Sequence, residues 1–114
     1  MSAETDFYGL VVRFELLDGH GDAFDQLTTE TVERIKSKEP GTLVYTAHVA
    51  AGWPAARIFY ELYRNEEAFR AHESTPHVRR FLTERSSHLR NDPEVWRVAP
   101  LVGVIREDLG LDGG

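Results

Sequence analysis

Apolar blocks alternate with polar segments along the chain, and the spacing within each block predicts one kind of element. Residues 7–17 (FYGLVVRFELL) are rich in β-branched and aromatic side chains and are apolar at nearly every position. This pattern predicts a first strand that is buried on both faces. Between residues 23 and 37 the apolar side chains recur at helical spacing, which predicts a helix that ends before Pro40-Gly41.

The next two apolar blocks predict an antiparallel hairpin. They cover residues 42–49 (TLVYTAHV) and 57–63 (RIFYELY), and each has the length and composition of a strand. The connecting residues 50–56 predict a loop that is longer than the two-residue minimum. Trp53 falls in this predicted loop, where a large aromatic side chain is typical of a lid or of a dimer contact.

Two capping signals predict helices in the second half of the chain. Asn65 precedes two glutamates, and Thr75 precedes Pro76, so each fits an N-cap at the start of a helix. Residues 95–105 predict a final strand, in which Pro100 indicates a bulge or a sheet edge. The resulting order, β-α-β-β-α-α-β, predicts an α+β fold with the helices on one face of an antiparallel sheet.

The third predicted strand has two faces of different character. One face is mixed and carries Phe59, Glu61 and Tyr63. The other face is purely apolar and aromatic and carries Ile58, Tyr60 and Leu62. Helices on one side of the sheet can cover only one of these faces. The other would be a larger apolar patch than monomers usually expose, so the sequence predicts that two copies pack sheet against sheet in a homodimer.

The chain has 114 residues, which fits one domain, and a domain of this length buries roughly two-thirds of the surface of its unfolded chain. A core can therefore form without disulfides or structural metals. The sequence has no cysteine, which excludes thiolate zinc sites, iron–sulfur clusters and cysteine nucleophiles. Histidine spacings typical of metal sites are also missing from the sequence, so no metal is expected.

Charge and hydropathy narrow the range of partners. Thirteen Lys and Arg against nineteen Asp and Glu give a formal net charge of −6. Without a surplus of cations, neither nucleic acid nor a membrane surface is an expected partner. The first residues lack the basic and apolar regions of a secretory leader, and no apolar run approaches the roughly eighteen residues of a membrane span. We therefore expect a cytoplasmic protein.

A carboxylate, a phenol and one or two imidazoles are predicted to meet on the helix-covered side of the sheet. Glu61 and Tyr63 share one face of a strand, His72 lies on the helix that follows, and His77 stands at the start of the next helix. A positioned imidazole or carboxylate can act as a general base towards a phenol. The alternative is structural: Glu61 is then a buried, paired carboxylate, and Tyr63 is a core residue.

Four short motifs in the middle of the chain resemble the antibiotic biosynthesis monooxygenase domain family. They are Glu39-Pro40-Gly41-Thr42, Glu61-Leu62-Tyr63, Ala68-Phe69-Arg70-Ala71-His72 and Thr75-Pro76-His77. With the flanking strands the likeness extends over residues 7–106, which implies a single domain with flexible termini at residues 1–6 and 107–114. The resemblance implies a ferredoxin-like fold that forms a dimeric α+β barrel, with a pocket between sheet and helices in each protomer.

The resemblance also implies a chemistry. Several members are oxygenases that act without a cofactor on quinols or polycyclic aromatic phenols, because the deprotonated substrate itself supplies electrons to dioxygen. On the matching positions, His72 would be the base, Glu61 would orient it and Tyr63 would lie beside them. The substrate-binding side chains would be His77, Tyr45, Phe69 and Phe81, with Trp53 closing the mouth of the pocket.

Two other functions stay open at this point. The family also contains members without known activity, so the chain could be a non-catalytic protein that binds a small aromatic metabolite. It also contains haem-degrading members, which carry a ligand histidine on the later helix. Aligning the helices puts Leu82 near that histidine and His72 near a tryptophan of those proteins, which disfavours haem binding or degradation.

Overall fold

Strands and helices follow one another in the order that the sequence predicts. The computed structural model describes residues 6–104. Within them the elements are β1 (Tyr8–Glu15), α1 (Gly21–Lys38), β2 (Thr42–Ala50), β3 (Trp53–Tyr63), α2 (Glu66–Glu73), α3 (Pro76–Glu84), a short 3-10 helix (Arg85–His88) and β4 (Glu94–Val98). The predicted flexible termini lie, except for Asp6, outside the described residues.

The four strands form one antiparallel sheet in the order β2-β3-β1-β4, which is the ferredoxin-like arrangement. The helices pack on one face of this sheet. Alternation along β1 turns Leu10, Val12 and Phe14 towards the helices, and all three are buried. Phe24 of α1 and Phe81 of α3 meet them from the other side, so the core lies between sheet and helices.

Both predicted capping signals are present in the structure. Asn65 Oδ1 accepts a hydrogen bond of 2.8 Å from the backbone N–H of Ala68 at the start of α2. Thr75 Oγ1 accepts one of 3.3 Å from the N–H of Val78, and Pro76 occupies the first position of α3. Because the cap residues fix where α2 and α3 begin, they also fix which side chains of these helices face the sheet.

The predicted long hairpin loop is wrong, and so is the placement of Trp53 within it. Strand β2 ends at Ala50 and β3 begins at Trp53, so only two residues connect them. Gly52 makes this tight turn possible because its φ is +76°. The Trp53 ring lies 4.1 Å from the Arg13 guanidinium, on the face of the sheet away from the helices.

The last strand is shorter than predicted. It covers Glu94–Val98, whereas the apolar pattern predicts residues 95–105. Strand β4 lies at the edge of the sheet, in agreement with the edge that Pro100 indicates, but it ends before that proline. Residue 105 lies outside the described part of the chain.

The face of the sheet away from the helices stays open in the single chain. In β1, predicted to be buried on both faces, Val11, Arg13 and Glu15 on this side are only partly buried. Trp53 and Trp96 are about half exposed. None of the helices within residues 6–104 is long and apolar enough to cross a membrane.

Candidate active site

A cavity of about 300 Å³ lies between the helix-covered face of the sheet and helices α2 and α3. Strand register puts Tyr45, Glu61, Leu10 and Arg97 side by side in one row across its floor, one from each strand. The walls come from both helices and from the 3-10 helix that follows them, and consist of Phe69, His72, Glu73, Val78, Phe81, Leu82 and Arg85. The cavity is therefore mainly apolar, with a few polar groups at fixed positions, as ligand sites usually are.

A buried carboxylate holds the imidazole of His72. Glu39 follows the last residue of α1, and its Oε1 lies 2.7 Å from Nδ1 of His72 on α2. Thr42 donates a second hydrogen bond to the same oxygen, also at 2.7 Å, and Nε2 of His77 lies 2.5 Å from Oε2. One carboxylate thus joins the end of α1, the start of β2 and helices α2 and α3.

The surroundings of Glu39 determine which nitrogen of His72 is basic. Burial acts to raise the pKa of the Glu39 carboxyl, but the hydrogen bonds from His72, Thr42 and His77 together hold that pKa below its ordinary value. Glu39 is therefore ionised at neutral pH, and its carboxylate accepts a hydrogen bond from Nδ1–H of His72. In a neutral imidazole this leaves Nε2 unprotonated, and it is the ring nitrogen available to a ligand in the cavity.

Glu61 and Tyr63 form a second buried pair. The Tyr63 hydroxyl donates to Glu61 Oε1 at 2.5 Å, as two residues on one face of β3 can. Burial raises the pKa of the Glu61 carboxyl, although the hydrogen bond from Tyr63 opposes this. Burial and the charge of Glu61 also raise the pKa of Tyr63, so this phenol stays protonated. Glu61 lines the cavity, whereas Tyr63 lies outside the lining and is fully buried.

Arg85 brings a positive charge to the cavity wall. Its guanidinium carbon lies 5.5 Å from the centre of the Phe14 ring and 5.9 Å from that of Phe81. Burial among these rings lowers the pKa of Arg85, although Tyr45 and Glu61 act in the opposite direction. At the other side of the floor, the Arg97 guanidinium stacks 3.6 Å from the centre of the Tyr8 ring.

The structure brings five of the eight predicted site residues to the cavity: His72, Glu61, Tyr45, Phe69 and Phe81. Three others lie elsewhere. Tyr63 is reached only through Glu61, His77 contacts Glu39 from a separate surface groove between α1 and α3, and Trp53 lies on the opposite face of the sheet. Trp53 cannot close the mouth because its ring stacks on the Arg13 guanidinium on the other face of the sheet.

The predicted partner of His72 also needs correction. Glu61 was expected to orient this imidazole, but its nearest partner is Tyr63, and the carboxylate bonded to His72 is Glu39. The sequence contains a signal for Glu39, since an acid at the C-terminal end of a helix is unfavourable for the helix dipole and so indicates another role. Arg85 was not predicted as a site residue. The sequence signal for it is a charge on the apolar helical stripe that contains Val78 and Phe81.

The sheet topology and the cavity between sheet and helices define a ferredoxin-like α+β protein. The family model described as antibiotic biosynthesis monooxygenase matches residues 7–84. The chain belongs to this family. A comparison with curated protein sequences gives no significant match.

Solved structures with the same fold come from several bacteria. A candidate antibiotic biosynthesis monooxygenase from Bacteroides thetaiotaomicron has a TM-score of 0.83 at 22% identity, over 92% of this chain and 98% of that one. A second from Caulobacter crescentus has a TM-score of 0.81 at 17% identity, over 86% and 92% of the two chains. Rv0793 from Mycobacterium tuberculosis has a TM-score of 0.80 at 20% identity, over 87% of this chain and 99% of that one. At these identities the likeness establishes the fold.

Proposed function

We propose that this protein is a monooxygenase that oxidises a quinol or polycyclic aromatic phenol with dioxygen and needs no cofactor. The observation that carries the proposal is the pairing of His72 with Glu39 at an aromatic cavity. An imidazole whose Nδ1 is held by an ionised carboxylate presents Nε2 as a general base, and the carboxylate stabilises the imidazolium that forms. Membership of a monooxygenase-type family supports the same chemistry.

The proposed reaction starts when the substrate hydroxyl gives its proton to Nε2 of His72. The electron-rich anion then reduces dioxygen and combines with it at a ring carbon, and the O–O bond of the resulting peroxide breaks. One oxygen atom stays on that carbon as a carbonyl. The other oxygen atom leaves as water, whose two hydrogens come from the substrate hydroxyl and from the carbon that is oxidised. All four electrons come from the substrate, so no external reductant is required.

Other cavity residues have complementary roles in this proposal. Burial, together with the charge of Glu61, raises the pKa of Tyr45 well above its ordinary range, so its hydroxyl keeps its proton. The Tyr45 ring lies 5.5 Å from that of His72, between centres, which suits it to donate a hydrogen bond to the anion that His72 creates. Phe69 and Phe81 provide apolar surface for the rings of the substrate and limit the access of water.

Oxygen uptake tests this proposal directly. We expect purified protein freed of metal and flavin to consume one dioxygen per molecule of a matching hydroquinone or anthrone, measured with an oxygen electrode across a panel. With ¹⁸O₂, one labelled atom should enter the product and one should enter water. The fully O-methylated form of each substrate is the matched control and should not react, because it has no hydroxyl proton for His72 to remove. Tight binding without oxygen uptake would instead support the non-catalytic alternative.

We also propose that two copies form a homodimer through the open face of the sheet. This face carries a continuous set of partly exposed apolar side chains from three strands: Val11, Val44, Ile58 and Tyr60. The half-exposed Trp96 of β4 lies on the same face, next to Val11 in the strand register. A second copy of the same surface would remove this apolar area from water.

Light scattering at micromolar concentration should therefore give about twice the chain mass of 13.0 kDa. Tyr60→Asp places a charge at the middle of the open face and should shift the protein towards monomer. Thr83→Asp, at an exposed position of α3, is the matched control and should keep the dimer mass. A monomeric wild-type protein would contradict the proposed dimer.

A further inference from the structure

We propose that the substrate carries a carboxylate in addition to its reactive hydroxyl, and that Arg85 binds this carboxylate inside the cavity. The substrate class would then be hydroxylated polycyclic aromatic acids. The inference rests on the proposed function, because it assumes an aromatic ligand in the cavity next to His72. The inference adds a second contact to the substrate, at its carboxylate, besides the contact of His72 with the hydroxyl.

Arg85 differs from the other partly buried arginines of the protein. Within residues 6–104, three arginines are buried or partly buried: Arg13, Arg57 and Arg85. Arg13 forms a salt bridge with Glu94, and Arg57 forms one with Asp25 at 2.8 Å. For Arg85 the described residues provide neither a salt bridge within 4.0 Å nor a side-chain hydrogen bond. A partly buried arginine in a cavity wall usually has an anionic partner, and for Arg85 a ligand can supply one.

The nearest acids of the cavity do not fill this role. Glu61 accepts its short hydrogen bond from Tyr63, and burial raises the pKa of its carboxyl. Glu73 is exposed on α2, and no salt bridge joins it to Arg85 in the described part of the chain. Both carboxyls influence Arg85 only through longer-range charge interaction. The fork of N–H donors on its guanidinium therefore stays available for a bidentate carboxylate.

The rings around Arg85 favour an aromatic acid over a small inorganic anion. The guanidinium lies between the apolar wall formed by Phe14 and Phe81 and the cavity that Tyr45 and His72 also line. A flat ligand with a hydroxyl at one end and a carboxylate at the other could contact the base and the guanidinium together while its rings fill the apolar part. In a partly dry site a charge-assisted pair contributes more than the same pair does in water.

Calorimetric titration of the full chain with two naphthalene ligands tests the inference. The probes are 6-hydroxy-2-naphthoic acid and its methyl ester, which differ in the negative charge and in one methyl group. We expect the wild-type protein to bind the acid about 10- to 100-fold more tightly than the ester, as a charge-assisted hydrogen-bonded pair would produce. Arg85→Gln should remove this preference, because it weakens the binding of the acid and leaves the binding of the ester nearly unchanged.

Two further variants control the experiment. Arg79→Gln removes an exposed positive charge from α3 and should keep the full preference for the acid. Arg85→Lys keeps a charge but loses the planar fork, so an intermediate preference is expected. It also keeps the test valid if Arg85→Gln does not fold, as judged by circular dichroism.

The possible failures are distinguishable. Equal binding of acid and ester by the wild-type protein would overturn the role of Arg85, yet would leave an aromatic site and the proposed oxidation intact. An acid preference that survives in Arg85→Gln would overturn it as well and would direct attention to Arg97. If neither probe nor the panel of hydroquinones and anthrones binds, the proposed function fails together with the inference.

Discussion

Replacement of His72 by glutamine is expected to lower kcat about 100- to 10,000-fold with a well-matched phenolic substrate, which is the range for loss of a positioned general base. Glutamine has a side chain of similar length that can still hydrogen bond to Glu39, but it cannot take up the substrate proton. Binding should change little, because the aromatic walls are untouched, so KM should stay close to that of the wild type. Initial rates of oxygen uptake measure both parameters.

A series of substrates with increasingly acidic hydroxyl groups separates a chemical role of His72 from a structural one. A substrate that is already ionised in solution does not need the base, so the deficit of His72→Gln should shrink as the hydroxyl becomes more acidic. His20→Gln is the matched control, since His20 lies at the start of α1 outside the cavity lining, and it should keep the wild-type rate. Equal turnover by His72→Gln and the wild type would remove His72 from the mechanism.

The parts of the fold that could be predicted are those set by short-range physics. Asn65 and Thr75 cap helices through residues three positions away, and the alternation in β1 depends only on which side of a strand each side chain takes. The hairpin could not be placed this way. Trp53 and its following proline suggest a loop, whereas the position of the turn depends on the positive φ of Gly52 and on pairing with Ala50.

In the site, too, local features could be predicted from the sequence and long-range contacts could not. His72 could be found because it is an imidazole next to a cluster of aromatic residues and a carboxylate, but its partner Glu39 is 33 positions away along the chain. Sequence proximity favours Glu61 instead, and the two-residue spacing that puts Glu61 and Tyr63 on one face brings them to each other. Long-range contacts of this kind follow from the packing of α1 against α3 and of α2 against α3 and β2, which no local pattern specifies.

Glu39 provides the second large expected effect, on stability as well as on activity. Glu39→Gln keeps the shape of the side chain but removes the charge that two imidazoles and Thr42 contact. Hydrogen bonds to a buried charged group contribute about 1.5–3 kcal/mol each, so we expect the free energy of unfolding at neutral pH to fall by about 2–3 kcal/mol. Urea denaturation measures this change. The rate of oxygen uptake should fall too, because a neutral amide no longer holds the proton on Nδ1 of His72.

The pH dependence of this loss identifies its cause. The pKa of the Glu39 carboxyl is lower in the folded protein than in the unfolded chain, so its contribution to stability is present above the unfolded value and is lost as the pH falls through the folded one. The gap between wild type and Glu39→Gln should therefore be largest near neutral pH and should narrow in acid. Glu33→Gln, at an exposed position of α1, should show little gap at any pH. A gap for Glu39→Gln that stayed constant into acid would mean that shape, and not the ionised carboxylate, holds His72 in place.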